Sequence, residues 1–348
     1  MKKKLDFNYP LITTYTQHAH LLGILSCNKK TLSWIYSNYI QIYINKNLRM
    51  NTWGDFYFPM PYEIRNIELC KWIETQKISE EFVCSNFGGI VDYICTNINN
   101  NYYVHIMVNF RYIKGSYAFI EGKNAYHDLL VIGYDNDTKM FTCADFKYSL
   151  NNSYEEFECS FNDMVLAFED ERTSSEKLYM NHQIYSYKLK DECDYEYDSQ
   201  NILFGLKNYY FSIVPEYWNG YNYANKQYVT FGMNYYKVVT QYLLDEKPWH
   251  IQTSIVYLLL DYKKIMIDRL RFLLNDYPSL ASCIDDYKRI YTDMQIIINL
   301  VIKYDVNHKE KLLYKIAERL MIVYEEERSI LRNVILILQS SINMTDSK

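Results

Sequence analysis

Glycine is scarce in this chain, with ten copies in 348 residues, and neither a low-complexity segment nor a fixed-period repeat occurs. That excludes a linker-dominated or solenoid organisation. Eight cysteines stand at positions 27, 70, 84, 95, 143, 159, 193 and 283, and no pair has the CxxC spacing of a zinc ribbon or a thioredoxin-like site. An excess of positive charge is also missing. The formal net charge of −5 argues against a broad nucleic-acid surface. No apolar run approaches the length of a membrane span, and the basic start MKKKLDF is followed by no apolar signal-peptide core. These absences together lead us to expect a cytoplasmic protein with reduced thiols, with no membrane and no nucleic acid among its partners.

Hydrophobic residues make up 49% of the chain, enough for one large core or two domains. Tyrosine is abundant at 38 copies. Because Asn, Ile and Lys are over-used with it, a coding bias explains the excess better than a stacking platform does.

Helices dominate both ends of the chain. Leu32, Ile35, Tyr36, Tyr39, Ile40 and Tyr43 fall at helical spacing, with Ser26 or Asn28 as the N-cap of a helix that starts there. A loop with Trp53, Pro59 and Pro61 follows, then short helices over 62–75 and 89–99. Residues 102–113 have strand composition. A strand near 155–160 and a short helix capped by Asn162 or Asp163 close this part. Composition shifts at the charged stretch Glu171–Lys177, which places the domain boundary between 172 and 173. Beyond a strand at Tyr185–Leu189, helices are expected over 199–212, capped by Asp198, and over 229–244, 250–275, 280–303 and 309–340. The last carries Leu313, Ile316, Leu320, Val323, Ile330, Val334 and Ile337 on one side. That stripe suits a bundle core, with a homodimer seam as the alternative. The fold class expected is α+β.

The most informative segment is Tyr126–Phe146, YHDLLVIGYDNDTKMFTCADF. It reads as a β-hairpin: an arm from His127 to Tyr134, a turn at Asp135-Asn136-Asp137-Thr138, and an arm from Lys139 to Phe146. His127 opens one strand and Asp145 closes its partner, so antiparallel pairing brings them together. A histidine beside a carboxylate is the oriented base of a nucleophilic enzyme. Cys27 is the candidate nucleophile, because a helix N-terminus at Ser26–Asn28 lowers a thiol's pKa. Cys84, before Asn86-Phe87-Gly88-Gly89, is the second choice.

The order of Cys, strand His and an Asp after a GYD-type turn resembles the papain-like pattern. It is most similar to the C39-like peptidases and the related N-terminal domain of the butirosin-pathway acyltransferase, over roughly residues 10–170. The resemblance implies a papain-like catalytic domain over 1–172, followed by a mainly helical domain over 173–348. It also implies the acyl-transfer or amide-synthase chemistry of natural-product (antibiotic) biosynthesis. Cys27 would take an acyl group from an acyl or peptidyl carrier protein thioester, His127 would act as base toward a small amine acceptor, and Asp145 would orient the imidazole. Gln17 would complete the oxyanion hole, although it lies ten residues before Cys27, farther than that family's spacing. If the helix QHAHLLGIL instead occupies the nucleophile's place, His18 to His20 stand where the cysteine belongs and the chain is a noncatalytic scaffold of the same fold. A cysteine hydrolase is the third alternative. His18 and His20, at i and i+2, do not share a helix face, and no carboxylate lies near them in sequence, so no metal and no cofactor is expected.

Overall fold

In a computed structural model, the described residues are 1–49, 52–58, 67–146, 153–170, 183–215 and 226–345. They gather into two units interleaved along the chain, one built from Met1–Thr31 and Ile67–Asp194, the other from Leu32–Asn66 and Tyr195–Lys348. The fold is α+β, with an antiparallel sheet in the first unit and a helical C-terminal region in the second. The boundary expected between 172 and 173 lies outside the described residues. No helix among the described residues is long and apolar enough to cross a membrane.

The first unit is organised by a sheet of seven described strands: β1 (Lys2–Lys4), β4 (Ile73–Ser79), β5 (Tyr103–Asn109), β6 (Tyr126–Asp135), β7 (Met140–Phe146), β8 (Tyr154–Ser160) and β9 (Gln183–Leu189), while β2 (Gln41–Asn45) and β3 (Gly54–Tyr57) belong to the second unit. The order is β4-β9-β5-β6-β7-β8, all antiparallel, with β1 against the far end of β6. Strand β6, ten residues long, is the spine. β5 pairs with its first half and β1 with Gly133, Tyr134 and Asp135. A Cβ at Gly133 would stand 2.9 Å from the Lys3 carbonyl oxygen, which is why the position where β1 arrives carries no side chain.

Helix α1 (Thr16–Leu25) packs on the sheet face that bears His105; its His20 ring stands edge-on to His105 with centroids 5.0 Å apart. Helices α4 (Ile90–Asn99) and α6 (Phe161–Glu169) belong to the same unit, and α4 meets the other face, where the Tyr93 and Ser186 hydroxyls lie 2.9 Å apart. The α6 cap is Ser160, which accepts the Asp163 amide, and not Asn162 or Asp163 as the sequence suggests. Two short helices, α3 (Glu80–Asn86) and α5 (Tyr117–Glu121), complete the unit.

Two expected helices are corrected. The stripe from Leu32 to Tyr43 breaks into α2 (Leu32–Asn38) and the strand β2 (Gln41–Asn45), which pairs with β3 (Gly54–Tyr57) and β10 (Val229–Phe231). Apolar residues on both sides of this β-branched segment suit a strand buried on both faces as well as they suit a helix stripe. Of the helix expected over 62–75, residues 62–66 lie outside the described region, and the remainder leads through a turn into β4.

The second unit holds α2, the three-stranded sheet β10-β2-β3, and the helices α7 (Ser199–Tyr210), α8 (Asn234–Asp245), α9 (Thr253–Leu273), α10 (Ala281–Asn307) and α11 (Lys311–Thr345). Asp198 caps α7 by accepting the Gln200 amide, as its position before the helix suggests. At the centre of this bundle lies an ion pair with no solvent exposure, Lys263 Nζ to Glu327 at 2.7 Å. Glu327 also accepts the hydroxyls of Tyr236 at 2.8 Å, Tyr209 at 3.2 Å and Tyr287 at 3.4 Å. One carboxylate thus links five helices, α7 to α11. Arg269 on α9 is equally buried. Its guanidinium donates to the carbonyls of Tyr36, at 2.7 Å, and Tyr39, satisfying acceptors at the C-terminal end of α2.

Candidate active site

Along β6 side chains alternate between the two sheet faces, so His127, Leu129 and Val131 point one way and Asp128, Leu130 and Ile132 the other. The hairpin partner of His127 depends on an irregularity. From the turn, Asp135 pairs with Met140 and Gly133 with Thr142; the register then shifts by one, so Val131 pairs with Cys143 and Leu130 with Ala144. Continuing that ladder sets Asp145 opposite Leu129, on the face of His127. An unbroken register from the turn would set it opposite Leu130, on the face of Asp128, because a one-residue slip exchanges the faces. The bulge at Ile132 is therefore what joins the two residues.

His127 Nδ1 lies 2.9 Å from Asp145 Oδ2 and 3.0 Å from the Asp128 carbonyl oxygen. Asp145 has no solvent exposure, while the His127 side chain keeps 24% of its surface. Asp145 also accepts the Phe146 amide through Oδ1 at 2.6 Å, and the Phe110 ring stands edge-on to the imidazole at 5.7 Å between centroids. Burial alone would lower the His127 pKa. The charge and hydrogen bond of Asp145, with a further contribution from Asp128, outweigh it and raise the imidazole to about 9. Burial pushes the Asp145 carboxyl up, against the pull of the imidazole. With its pKa raised to about 9 the imidazole is mainly protonated at neutral pH, and its Nδ1 faces the Asp145 carboxyl. This arrangement can give or take a proton at the other ring nitrogen.

The structure does not bring Cys27 to this pair. The helix N-terminus expected to activate the thiol is corrected: α1 runs Thr16–Leu25 with Ser26 as its C-cap, so Cys27 follows a helix end. Its Sγ donates to the Gly23 carbonyl at 3.4 Å. Asn28 Oδ1 does accept the Lys30 amide of a 3-10 turn at Lys29–Thr31, but the thiol turns back toward α1. A helix C-terminus carries partial negative charge and disfavours a thiolate. Burial, with Asp6 nearby, pushes the Cys27 thiol up to about 11. Its distance from the pair follows from two independent measures. The first turn of α1 reaches the His127 end of the sheet, since Thr16 Oγ1 donates to Asp128 at 3.2 Å, and eleven residues of helical rise put Cys27 roughly 16 Å away. Cys27 also lies near Tyr103, five residues along β5 from Val108, the partner of His127, again roughly 16 Å.

Cys84 sits in the second half of α3, where burial and the carboxylates of Glu169 and Glu80 raise its thiol. Burial likewise raises Cys70 to about 12 and Cys95 to about 11, and pushes Cys143, wholly buried on β7, higher still. Each of these shifts favours the protonated thiol over the thiolate. Gln17 lies in the first turn of α1, beside Thr16, and so at the end of the helix near the pair. The helix start that faces this end of the sheet reads Tyr15-Thr16-Gln17-His18, without a cysteine.

Sequence reasoning missed one group of residues. His105 on β5, His20 on α1 and Asp128 on β6 are buried and meet beside the pair, with Asp128 Oδ1 3.7 Å from His127 Nδ1. A lone histidine inside the apolar strand YVHIMVN was the available signal.

Neither a search of protein families nor a search of curated proteins finds a match to this chain.

Proposed function

We propose that the chain is a papain-like protein of specialised metabolism in which His127 and Asp145 move protons during acyl transfer from a carrier-protein thioester to a small amine, with no acyl group resting on Cys27. The observation that carries this reading is the 2.9 Å contact between the partly exposed imidazole and the wholly buried carboxylate. Such a pair fixes tautomer and orientation. The hairpin's resemblance to the papain-like pattern supports the substrate class. In the step itself the amine nitrogen attacks the thioester carbonyl, and the carbon–sulfur bond breaks. His127 gives a proton to the departing sulfur and takes one from the nitrogen, leaving an amide and a free thiol.

The test is turnover of an N-acetylcysteamine thioester with an amine, followed by mass spectrometry. His127→Ala is expected to lose about 10²- to 10⁴-fold in rate, the usual contribution of a positioned acid–base group. Cys27→Ala is expected to keep the rate, with no acyl adduct on the wild-type protein. An adduct on Cys27 would restore the cysteine triad. The second reading, a noncatalytic binding protein, is favoured by the absence of a cysteine from the first turn of α1. It would be marked by no amide or free acid above background from either protein.

A further inference from the structure

Three ligating side chains from three elements converge beside the His127–Asp145 pair: His20 from α1, His105 from β5 and Asp128 from β6. One donor atom from each lies within 4.8 Å of the other two, and the residues keep only 1%, 2% and 3% of their surface. The placement follows from register. His105 pairs with Leu130, so Asp128, two residues back along β6, shares its face. Helix α1 lies on that face and lowers His20 onto His105. A helix packed on a sheet needs only apolar side chains at such a seam. Burying two imidazoles and a carboxylate there costs free energy unless each is fully engaged.

The ring nitrogens are ordered in a particular way. His105 Nδ1 meets the Tyr187 hydroxyl at 3.0 Å, and His20 Nδ1 meets the Tyr154 hydroxyl at 2.7 Å. His105 Nε2 points at Asp128 Oδ2, 2.9 Å away. The Asp128 carboxylate is held in turn by Thr16 Oγ1, at 3.2 and 3.3 Å from its two oxygens. Metal-bound histidines show this pattern, with one ring nitrogen fixed by a protein group while the other faces the ion. Tetrahedral bonds of about 2.0–2.1 Å set neighbouring donors about 3.3–3.4 Å apart, so His105 Nε2 and Asp128 Oδ2, at 2.9 Å, need part by only a few tenths of an ångström to share an ion.

We propose that His20, His105 and Asp128 bind one divalent transition-metal ion of the zinc class. Two imidazoles and a carboxylate are a borderline donor set that suits zinc and not calcium or magnesium. Exposures of 1–3% leave no path for a substrate, so the ion ties α1 to β5 and β6 and performs no chemistry of its own. The proposal stands apart from acyl transfer at His127, and its readout is metal content.

The experiment uses the full chain, stripped with chelator and titrated with zinc, with bound metal measured after gel filtration. One equivalent is expected, with a Kd tighter than about 1 μM, and saturation is expected to raise the melting temperature. His105→Gln and Asp128→Asn, of similar size to the native residues, are each expected to weaken binding at least 100-fold while circular dichroism shows a folded chain. Because a buried substitution can unfold the protein, a second measurement uses the wild type alone. Cobalt(II) in place of zinc should show visible ligand-field bands and no thiolate-to-cobalt charge-transfer band. No stoichiometric zinc, zinc retained by the folded variants, or a thiolate band from the cysteines would each overturn the site. The three side chains would then be a hydrogen-bonded ionic cluster only.

Discussion

Replacing Glu327 by alanine is expected to destabilise the helical unit by about 3–5 kcal/mol, the cost of leaving a buried cation without its partner. Lys263 has no solvent exposure, and its ammonium donates to both carboxylate oxygens of Glu327. Burial already lowers its pKa, and only the glutamate's charge and hydrogen bonds oppose that fall. Without Glu327 the ammonium must shed its proton or draw water into the bundle, and the hydroxyls of Tyr209, Tyr236 and Tyr287 lose a shared acceptor. The double replacement Lys263→Met with Glu327→Leu removes both charges and fills similar volume, and is expected to recover the part of the loss that comes from the unpaired charge, while the three hydroxyls still lack their acceptor. Urea unfolding followed by circular dichroism measures both proteins. A loss below about 1 kcal/mol for Glu327→Ala, the scale of an exposed ion pair, would show that the pair does not bear on the stability of the bundle.

Arg269→Met is expected to act by a different route. Its guanidinium satisfies two carbonyls at the end of α2, and each buried acceptor left unmet costs about 1–3 kcal/mol. Hydrogen exchange should show the loss first in α2, where the acceptors lie, with α11 keeping its protection. Uniform loss across the unit would mean that Arg269 stabilises the bundle as a whole.

The hairpin was legible because a two-strand unit is local: turn residues, alternation and arm length all lie within about twenty residues of each other in the chain. The pairing of His127 with Asp145 was read for an incomplete reason. Symmetry about the turn brings the strand ends together, but only the bulge at Ile132 puts the two side chains on one face. Nothing in Val131-Ile132-Gly133 announces a bulge except the glycine, whose close neighbour is β1, more than a hundred residues earlier. Cys27 was misplaced because Ser26 and Asn28 look like N-caps, and a segment that ends one helix and begins a 3-10 turn offers both signals. The helix signal over QHAHLLGIL was present, but it lacks a side-chain N-cap at Tyr15 and is buried nearly all round, so it shows no amphipathic stripe. The cluster of His20, His105 and Asp128 was out of reach for a simpler reason: its members are 85 and 23 residues apart in sequence (20 to 105, 105 to 128) and meet only through the sheet. The incorporation of β9 between β4 and β5, and of residues 32–58 into the helical unit, were hidden likewise, since both are long-range pairings.

Asp145→Asn is expected to bring the His127 imidazole from about 9 to below its ordinary 6.5. Burial is the largest influence on that ring and acts downward; the carboxylate is what reverses it. Asparagine keeps the shape and offers an amide oxygen to Nδ1–H, so the hydrogen bond can survive while the charge is lost. Nuclear magnetic resonance titration of the ring, in protein kept in chelator, measures the change directly. A value that stays near 9 would mean that Asp128, 3.7 Å from Nδ1, supplies the charge and that Asp145 only orients the ring. The sign of the stability effect is fixed by the same shift. A histidine whose folded pKa is raised contributes stability that is complete below about 6.5 and is lost as pH rises through about 9. Burial raises the Asp145 carboxyl to about 7, so the charged pair exists between about 7 and 9, and Asp145→Asn should destabilise the first unit most in that window. Above 9 the penalty should shrink or reverse, because the wild type there buries a carboxylate beside a neutral ring. A penalty that is flat across this range would show that the pair is not ionic in the folded protein.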